Sequence, residues 1–181
     1  KLKIQIHLKP NYIFQLFPGF KKWFWKRWYT VLANKANNPD LRFMNDGYLS
    51  NDLSLTLSAE DEKDRYSIQL YHYVASQIDL KGLKVLEVGS GRGGGSAYIS
   101  KYFNVSEMVG VDISPTAVDL CNKIYNINNL TFKLGDSENL PFNDNTFDAI
   151  INVESSHCYA SMDNFLTEAK RVLKPEGYFL F

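Results

Sequence analysis

Nine consecutive residues, Glu87-Val88-Gly89-Ser90-Gly91-Arg92-Gly93-Gly94-Gly95, set a carboxylate directly before a run rich in glycine. Glycines let a backbone approach a ligand closely and adopt turns closed to other residues. Three further acidic or polar sites follow at intervals. Asp112 comes 25 residues after Glu87, a spacing that suits an acid accepting hydrogen bonds from both hydroxyls of a ribose. Asp136-Ser137-Glu138 is placed to bond an exocyclic amine and to frame a ring with backbone groups, and Asn152 is a polar strand end able to line the same pocket. The chemistry implied is recognition of a nucleoside-type ligand.

These residues need a scaffold that brings four separate stretches to one edge. From Lys84 the pattern is strand, helix, strand: Lys84–Val88, a helix over Ser96–Phe103, Glu107–Val111, a helix opened by Ser114-Pro115, then strands at Leu130–Leu134 and Phe147–Val153. A helix from Met162 to Leu173, capped by Ser161, leads through the turn Pro175-Glu176-Gly177 into a last strand. Upstream, an amphipathic helix is expected over about Glu60–Asp79, with Ile68, Tyr71, Ala75 and Ile78 as its apolar stripe. Strands alternating with helices predict an α/β fold, a doubly wound, mostly parallel Rossmann-like sheet. Such sheets bind ligands beyond the carboxyl ends of their strands.

Gly89, Gly91 and Gly94 also fit the GxGxxG pattern of a dinucleotide site. Glu87 discriminates: a carboxylate at the strand tip would repel a pyrophosphate, which disfavours a nicotinamide-dependent oxidoreductase. S-adenosylmethionine carries no phosphate, and its ammonium and sulfonium suit an acid.

Composition narrows the classes. The chain has 181 residues, 45% apolar and 22% charged, enough for one α/β domain. Lys+Arg and Asp+Glu number 20 each, so binding of nucleic acid by bulk charge is excluded. Cys121 and Cys158 form no CxxC pair, so a disulfide framework or a cysteine zinc site is not expected, no metal is called for, and a reducing, cytoplasmic setting is. The neutral total hides an asymmetry. Eight basic residues and no acidic one precede Pro39, whereas seven acids face only Arg42 and Lys63 between Asp40 and Asp64.

The stretches Glu87–Gly95, Asp112, Gly135–Phe142 and Lys174-Pro175-Glu176-Gly177 are similar to class I S-adenosylmethionine-dependent methyltransferases. Asn152–Tyr159, with Gly93-Gly94-Gly95 and Leu70-Tyr71-His72, resembles the phthiotriol/phenolphthiotriol dimycocerosate methyltransferases, which O-methylate a hydroxyl on a long-chain lipid. The resemblance implies S-adenosyl-L-methionine as cofactor, held by Tyr71, Glu87, Gly89, Gly91, Asp112, Ile113, Asp136, Ser137 and Asn152. Tyr71 would bond the cofactor's carboxylate, and the turn Asn45-Asp46-Gly47-Tyr48 would close over the site. A seven-stranded sheet is also implied, of which this chain supplies five strands, so residues 61–181 read as a cofactor domain lacking its last strands, after an N-terminal extension and helical cap over 1–60.

Methyl transfer from a sulfonium is an in-line displacement, and positioning alone can supply roughly 7–11 kcal/mol. A hydroxyl acceptor also benefits from a general base, worth roughly 10²–10⁴-fold. His157 is the candidate, since imidazole titrates in the right range. Glu154 is second choice, or a group that orients His157. Cys158 has no role as a nucleophile, because direct transfer needs no covalent intermediate. A small or lipid-like acceptor is expected. Carbon or nitrogen methylation and a non-catalytic binding module remain the alternatives. Between Phe20 and Ala36, apolar residues including Trp23 and Trp28 share one face opposite Lys21, Lys22 and Lys26. That helix is expected to pack on its own domain, with peripheral membrane contact through Trp23–Trp28 as the other reading.

Overall fold

A computed structural model of the chain describes residues 41–50 and 53–181. The helix expected over Phe20–Ala36 lies outside the described residues. The elements run α1 (Ala59–Glu62), α2 (Arg65–Ala75), β1 (Lys84–Val88), α3 (Gly94–Tyr102), β2 (Glu107–Asp112), α4 (Pro115–Ile124), β3 (Leu130–Leu134), β4 (Phe147–Ile151), a 3-10 turn (Ser156–Cys158), α5 (Met162–Val172) and β5 (Leu173–Leu180). The strands form one sheet in the order β3-β2-β1-β4-β5, and every pairing is parallel. β1 lies in the middle, with Glu87 level with Gly110 on one side and Ile151 on the other.

A sheet covered on both faces reads as near-continuous apolar strands. Accordingly, Val85, Met108, Phe132 and Ile151 pack with Ile68, Tyr71 and Ile99 on one face. Leu86, Val88, Val109, Val111 and Ile150 pack with Phe165, Ala169 and Val172 on the other. Alternation along β1 therefore turns Glu87 towards the α2–α3 face.

The capped helices begin where local chemistry directs. Ser114 accepts a hydrogen bond from Ala117 N–H ahead of Pro115, and Ser161 accepts one from Asn164 N–H. The helix expected over Glu60–Asp79 is instead two helices, interrupted at Lys63-Asp64 and ended at Ala75. The interruption has a tertiary cause: Arg42 Nη2 donates to the Glu60 carbonyl at 3.1 Å, and Asp64 N–H turns to the Asp61 carbonyl at 3.0 Å. β4 stops two residues earlier than expected, where the Asn152 side chain bonds across to β1. β5 starts before the turn expected to lead into it, directly from α5, and its pairing with β4 shifts register between Phe147 and Ala149. The Pro175-Glu176-Gly177 turn is thus an irregularity inside the strand, with Glu176 at φ 62°.

Candidate cofactor site

The carboxyl ends of β1 to β4 surround a cavity of about 420 Å³. Its floor is the loop from Gly89 to Gly95. Gly89 has φ 76°, and a Cβ there would lie 2.5 Å from Ser155 Oγ, so only glycine fits. Both Gly89 and Ser90 N–H donate to the Val111 carbonyl, at 2.8 and 3.0 Å, which lashes the loop to β2.

Asp112 ends β2 in the cavity wall. Its Oδ2 accepts Gly91 N–H at 2.9 Å, and its Oδ1 accepts Ser114 N–H at 2.8 Å. Burial raises its pKa, and the Ser114, Gly91 and Ile113 N–H groups offset part of the rise. Each oxygen retains a second lone pair. Ile113 lines the same wall. After β3, Asp136 and Ser137 line the cavity, and Asp136 Oδ1 accepts Glu138 N–H at 3.0 Å in a tight local turn. Glu138 in turn accepts Ala160 N–H at 2.9 Å, tying this loop to the one after β4.

Glu87 is fully buried and sits beneath the lining rather than in it. Tyr71 OH donates to its Oε1 at 2.6 Å, and Ser96 Oγ donates to its Oε2. Desolvation pushes its pKa up to about 7 against the pull of those two hydrogen bonds. Tyr71 itself lines the cavity, with its hydroxyl engaged by Glu87. Its ring lies where a Cβ on Gly95 would meet Tyr71 Cε1 at 2.0 Å.

Asn152 is also buried outside the lining. Its Nδ2 donates to the Val88 carbonyl (3.0 Å), Ser155 Oγ (2.8 Å) and Tyr159 OH (2.7 Å). Asn152 Oδ1 and Ser90 Oγ are buried polar atoms without a hydrogen-bond partner among the described residues, and Ser90 lines the cavity. Of the two candidate bases, Glu154 lines the cavity and accepts Asp46 N–H at 2.8 Å. His157 is exposed on the 3-10 turn and does not line it. The structure thus gathers Tyr71, Gly89, Gly91, Asp112, Ile113, Asp136, Ser137 and Glu154 around one space, and sets Glu87, Asn152 and His157 behind or beside it.

The Asn45–Tyr48 turn was expected to close over the site, but the residues that lead into it were missed. Leu41, Arg42, Phe43, Met44 and Asn45 form a strap across the cavity, just before the Asn45–Tyr48 turn. Arg42 is 8% exposed and pairs with Asp61 at 2.7 Å and Asp64 at 2.5 Å. A lone arginine amid seven acids was the signal available for it. Ser155 and Tyr159 also line the cavity; both lie in the Asn152–Tyr159 stretch that carries the resemblance, but neither was singled out.

Residues 86–181 match the family model described as a methyltransferase domain. The chain is 45% identical over 154 residues to the fatty-acid O-methyltransferase of Mycolicibacterium smegmatis, covering 84% of this chain and 56% of that protein. It is 42% identical over 156 residues to the phthiotriol/phenolphthiotriol dimycocerosates methyltransferase of Mycobacterium tuberculosis, covering 86% and 58%. The chain therefore spans little more than half the length of these relatives. Among solved structures, the PH0226 protein of Pyrococcus horikoshii superposes with a TM-score of 0.57 at 32% identity, over 67% of this chain and 57% of that one. With the parallel sheet, the glycine floor and the paired Asp112, these likenesses place the chain in the class I S-adenosylmethionine-dependent methyltransferases.

Proposed function

We propose that this protein transfers the methyl group of S-adenosylmethionine to an oxygen of a lipid-like acceptor, first of all a hydroxyl. The observation that carries the cofactor half is Asp112: a half-buried carboxylate in the cavity wall, pinned by two loop N–H groups, with acceptor capacity left for ribose hydroxyls. The unpartnered Ser90 Oγ and the glycine floor fit the same ligand, since they leave a donor and close backbone access beside it. Asp136 and Ser137 would hold the adenine side. Bound there, the cofactor supplies a methyl group on a sulfonium. The lipid half rests on the two relatives, whose names specify fatty-acid and phthiotriol acceptors.

For a hydroxyl acceptor the chain must also take a proton, and His157, exposed on the turn that follows Glu154 and Ser155, is the group proposed. A fatty-acid carboxylate is a second reading. It is favoured by the absence of the His157 imidazole from the cavity lining, because a carboxylate is already ionised at neutral pH and needs no base.

Calorimetric titration with S-adenosylhomocysteine tests the cofactor half. Saturable one-to-one binding, weakened tenfold or more by Asp112→Ala, is expected. Absence of binding in the wild type overturns the reading. Methyl transfer to a long-chain secondary alcohol and to a fatty acid, measured side by side, separates the two acceptors.

A further inference from the structure

The strap from Leu41 to Tyr48 is held very unequally on its two sides. Towards α1, α2 and α3 it is fixed many times. The Arg42 guanidinium is buried against Asp61 and Asp64. The Leu41 and Arg42 carbonyls accept Arg92 Nε at 2.8 Å and Gly94 N–H at 3.1 Å. Asn45 Nδ2 donates to the Ser67 carbonyl at 3.1 Å, and Tyr48 N–H to the Tyr66 carbonyl at 2.9 Å. Towards β4, the tie among the described residues is one exposed hydrogen bond, Asp46 N–H to Glu154 Oε2 at 2.8 Å. The bond joins two walls of the cavity, whose lining includes Met44 and Asn45 on the strap, next to Asp46, and Val153, Glu154 and Ser155 after β4.

Glu154 makes this bond from an uncommon backbone. Its φ is 47°, in the left-handed region that costs a residue with a Cβ free energy. Such conformations persist where the surroundings over-determine them, and they gather at ligand clamps. A side chain needed only as a base in solution has no reason to be held this way.

We propose that Glu154 is a positioning residue, a latch whose carboxylate closes the strap over the bound cofactor and slows its departure, with the hydrogen-bond acceptor rather than a proton acceptor as the working group. The proposal rests on the cavity being the cofactor site. Acceptor function and base function separate cleanly by substitution. Glutamine keeps a carbonyl oxygen at the same reach and cannot take a proton. Alanine removes the acceptor. Glycine removes it and also relieves the left-handed φ, so a faster release in that variant is not a folding defect.

The measurement is the dissociation rate of S-adenosylhomocysteine from the wild type and from Glu154→Gln, Glu154→Ala and Glu154→Gly, with thermal unfolding recorded for each. The latch predicts that Gln stays within about twofold of wild type. It predicts that Ala and Gly release roughly five- to tenfold faster, as expected for one exposed hydrogen bond. The Gly variant should melt no lower than the Ala variant. Wild-type rates in both Ala and Gly overturn the latch, and so does a Gln variant that releases as fast as Ala, since charge and not the hydrogen bond would then be at work. A wild type that binds no S-adenosylhomocysteine defeats the cofactor reading itself, which is a different failure from binding with unchanged rates.

Discussion

Removing a single oxygen tests how the buried acid under the cavity is held. Tyr71→Phe deletes the hydroxyl that donates to Glu87 at 2.6 Å and leaves the ring to pack against Phe43 and Gly95. Burial lifts the Glu87 carboxyl from 4.5 to about 7, and the Ser96 and Tyr71 hydrogen bonds keep it from rising further. An acid whose folded pKa is raised favours folding below its unfolded value, near 4.5, and that contribution is lost as pH rises through about 7. The full swing is ~3 kcal/mol. The Tyr71 hydroxyl stays protonated throughout, because burial and the neighbouring Glu87 hold its pKa well above the ordinary value. At pH 8.5 the variant therefore strips a donor from an ionised, buried carboxylate, which costs about 1.5–3 kcal/mol; at pH 5.5 the partner is a neutral acid and the loss is about 0.5–1.5 kcal/mol. Urea unfolding at both pH values reads this directly. The gap between wild type and variant should widen by ~1 kcal/mol towards alkaline pH, about 0.5 M in midpoint at an ordinary slope. Other titrating groups cancel in the difference. A gap that is flat with pH, or that narrows towards alkaline pH, would refute the claim that Tyr71 supports an ionisable Glu87.

The strap anchor makes a second stability prediction. Arg42→Met leaves the 6%-exposed Asp61 side chain without its guanidinium, and the loss should be about 3–5 kcal/mol by urea unfolding at pH 7. Desolvation works against the Asp61 charge, yet Arg42, Tyr102 and Ser58 hold its pKa below the ordinary value. That stabilisation exists above the unfolded pKa and fades as pH falls through the folded one, so the cost of Arg42→Met should shrink below pH 4. For the proposed base, His157→Ala should lower turnover on a long-chain alcohol by roughly 10²–10⁴-fold. It should leave the S-adenosylhomocysteine Kd within about twofold, since His157 lies outside the cavity lining. Wild-type turnover on the alcohol would remove His157 from the mechanism.

What the sequence made legible is what local chemistry decides. Ser114-Pro115 and Ser161 announce the starts of α4 and α5 because a cap acts within three residues. Leu130 and Phe132, alternating with Thr131 and Lys133, announce β3 because only one face of this edge strand is buried. Asp112 was readable as a strand end for the same reason, since the cap Ser114 follows it two residues on. Glu87 was readable as special but not in its role, since the donors that hold it, Tyr71 and Ser96, come from two other helices. The break between α1 and α2 was invisible for a related reason. No residue of 60–64 breaks a helix on its own account, and the cause is an arginine 18 residues upstream of the carbonyl it captures. The Asn45–Tyr48 end of the strap was legible as a turn, but Leu41–Met44 escaped notice because main-chain carbonyls, which carry no side-chain signature, make much of their attachment.

The three glycines that open α3 show how packing and binding share one motif. A Cβ on Gly93 would meet the Phe132 ring at 2.7 Å, one on Gly94 the Arg42 carbonyl oxygen at 2.5 Å, and one on Gly95 the Tyr71 ring at 2.0 Å. Each glycine is thus required by a different neighbour: the β3 face, the strap and α2. The helix they begin has no side-chain cap, and Arg42 C=O accepts the Gly94 N–H in its first turn. A dinucleotide-type loop leaves its helix N-terminus open to a phosphate. Here the strap lies against that N-terminus, and the Glu87 carboxylate is buried close behind it. An anionic ligand would have to displace the one and face the other, whereas a nucleoside with a cationic tail has to do neither. The extra glycines are therefore the mark of a covered loop, and the covering argues for a cofactor without phosphates independently of any likeness in sequence.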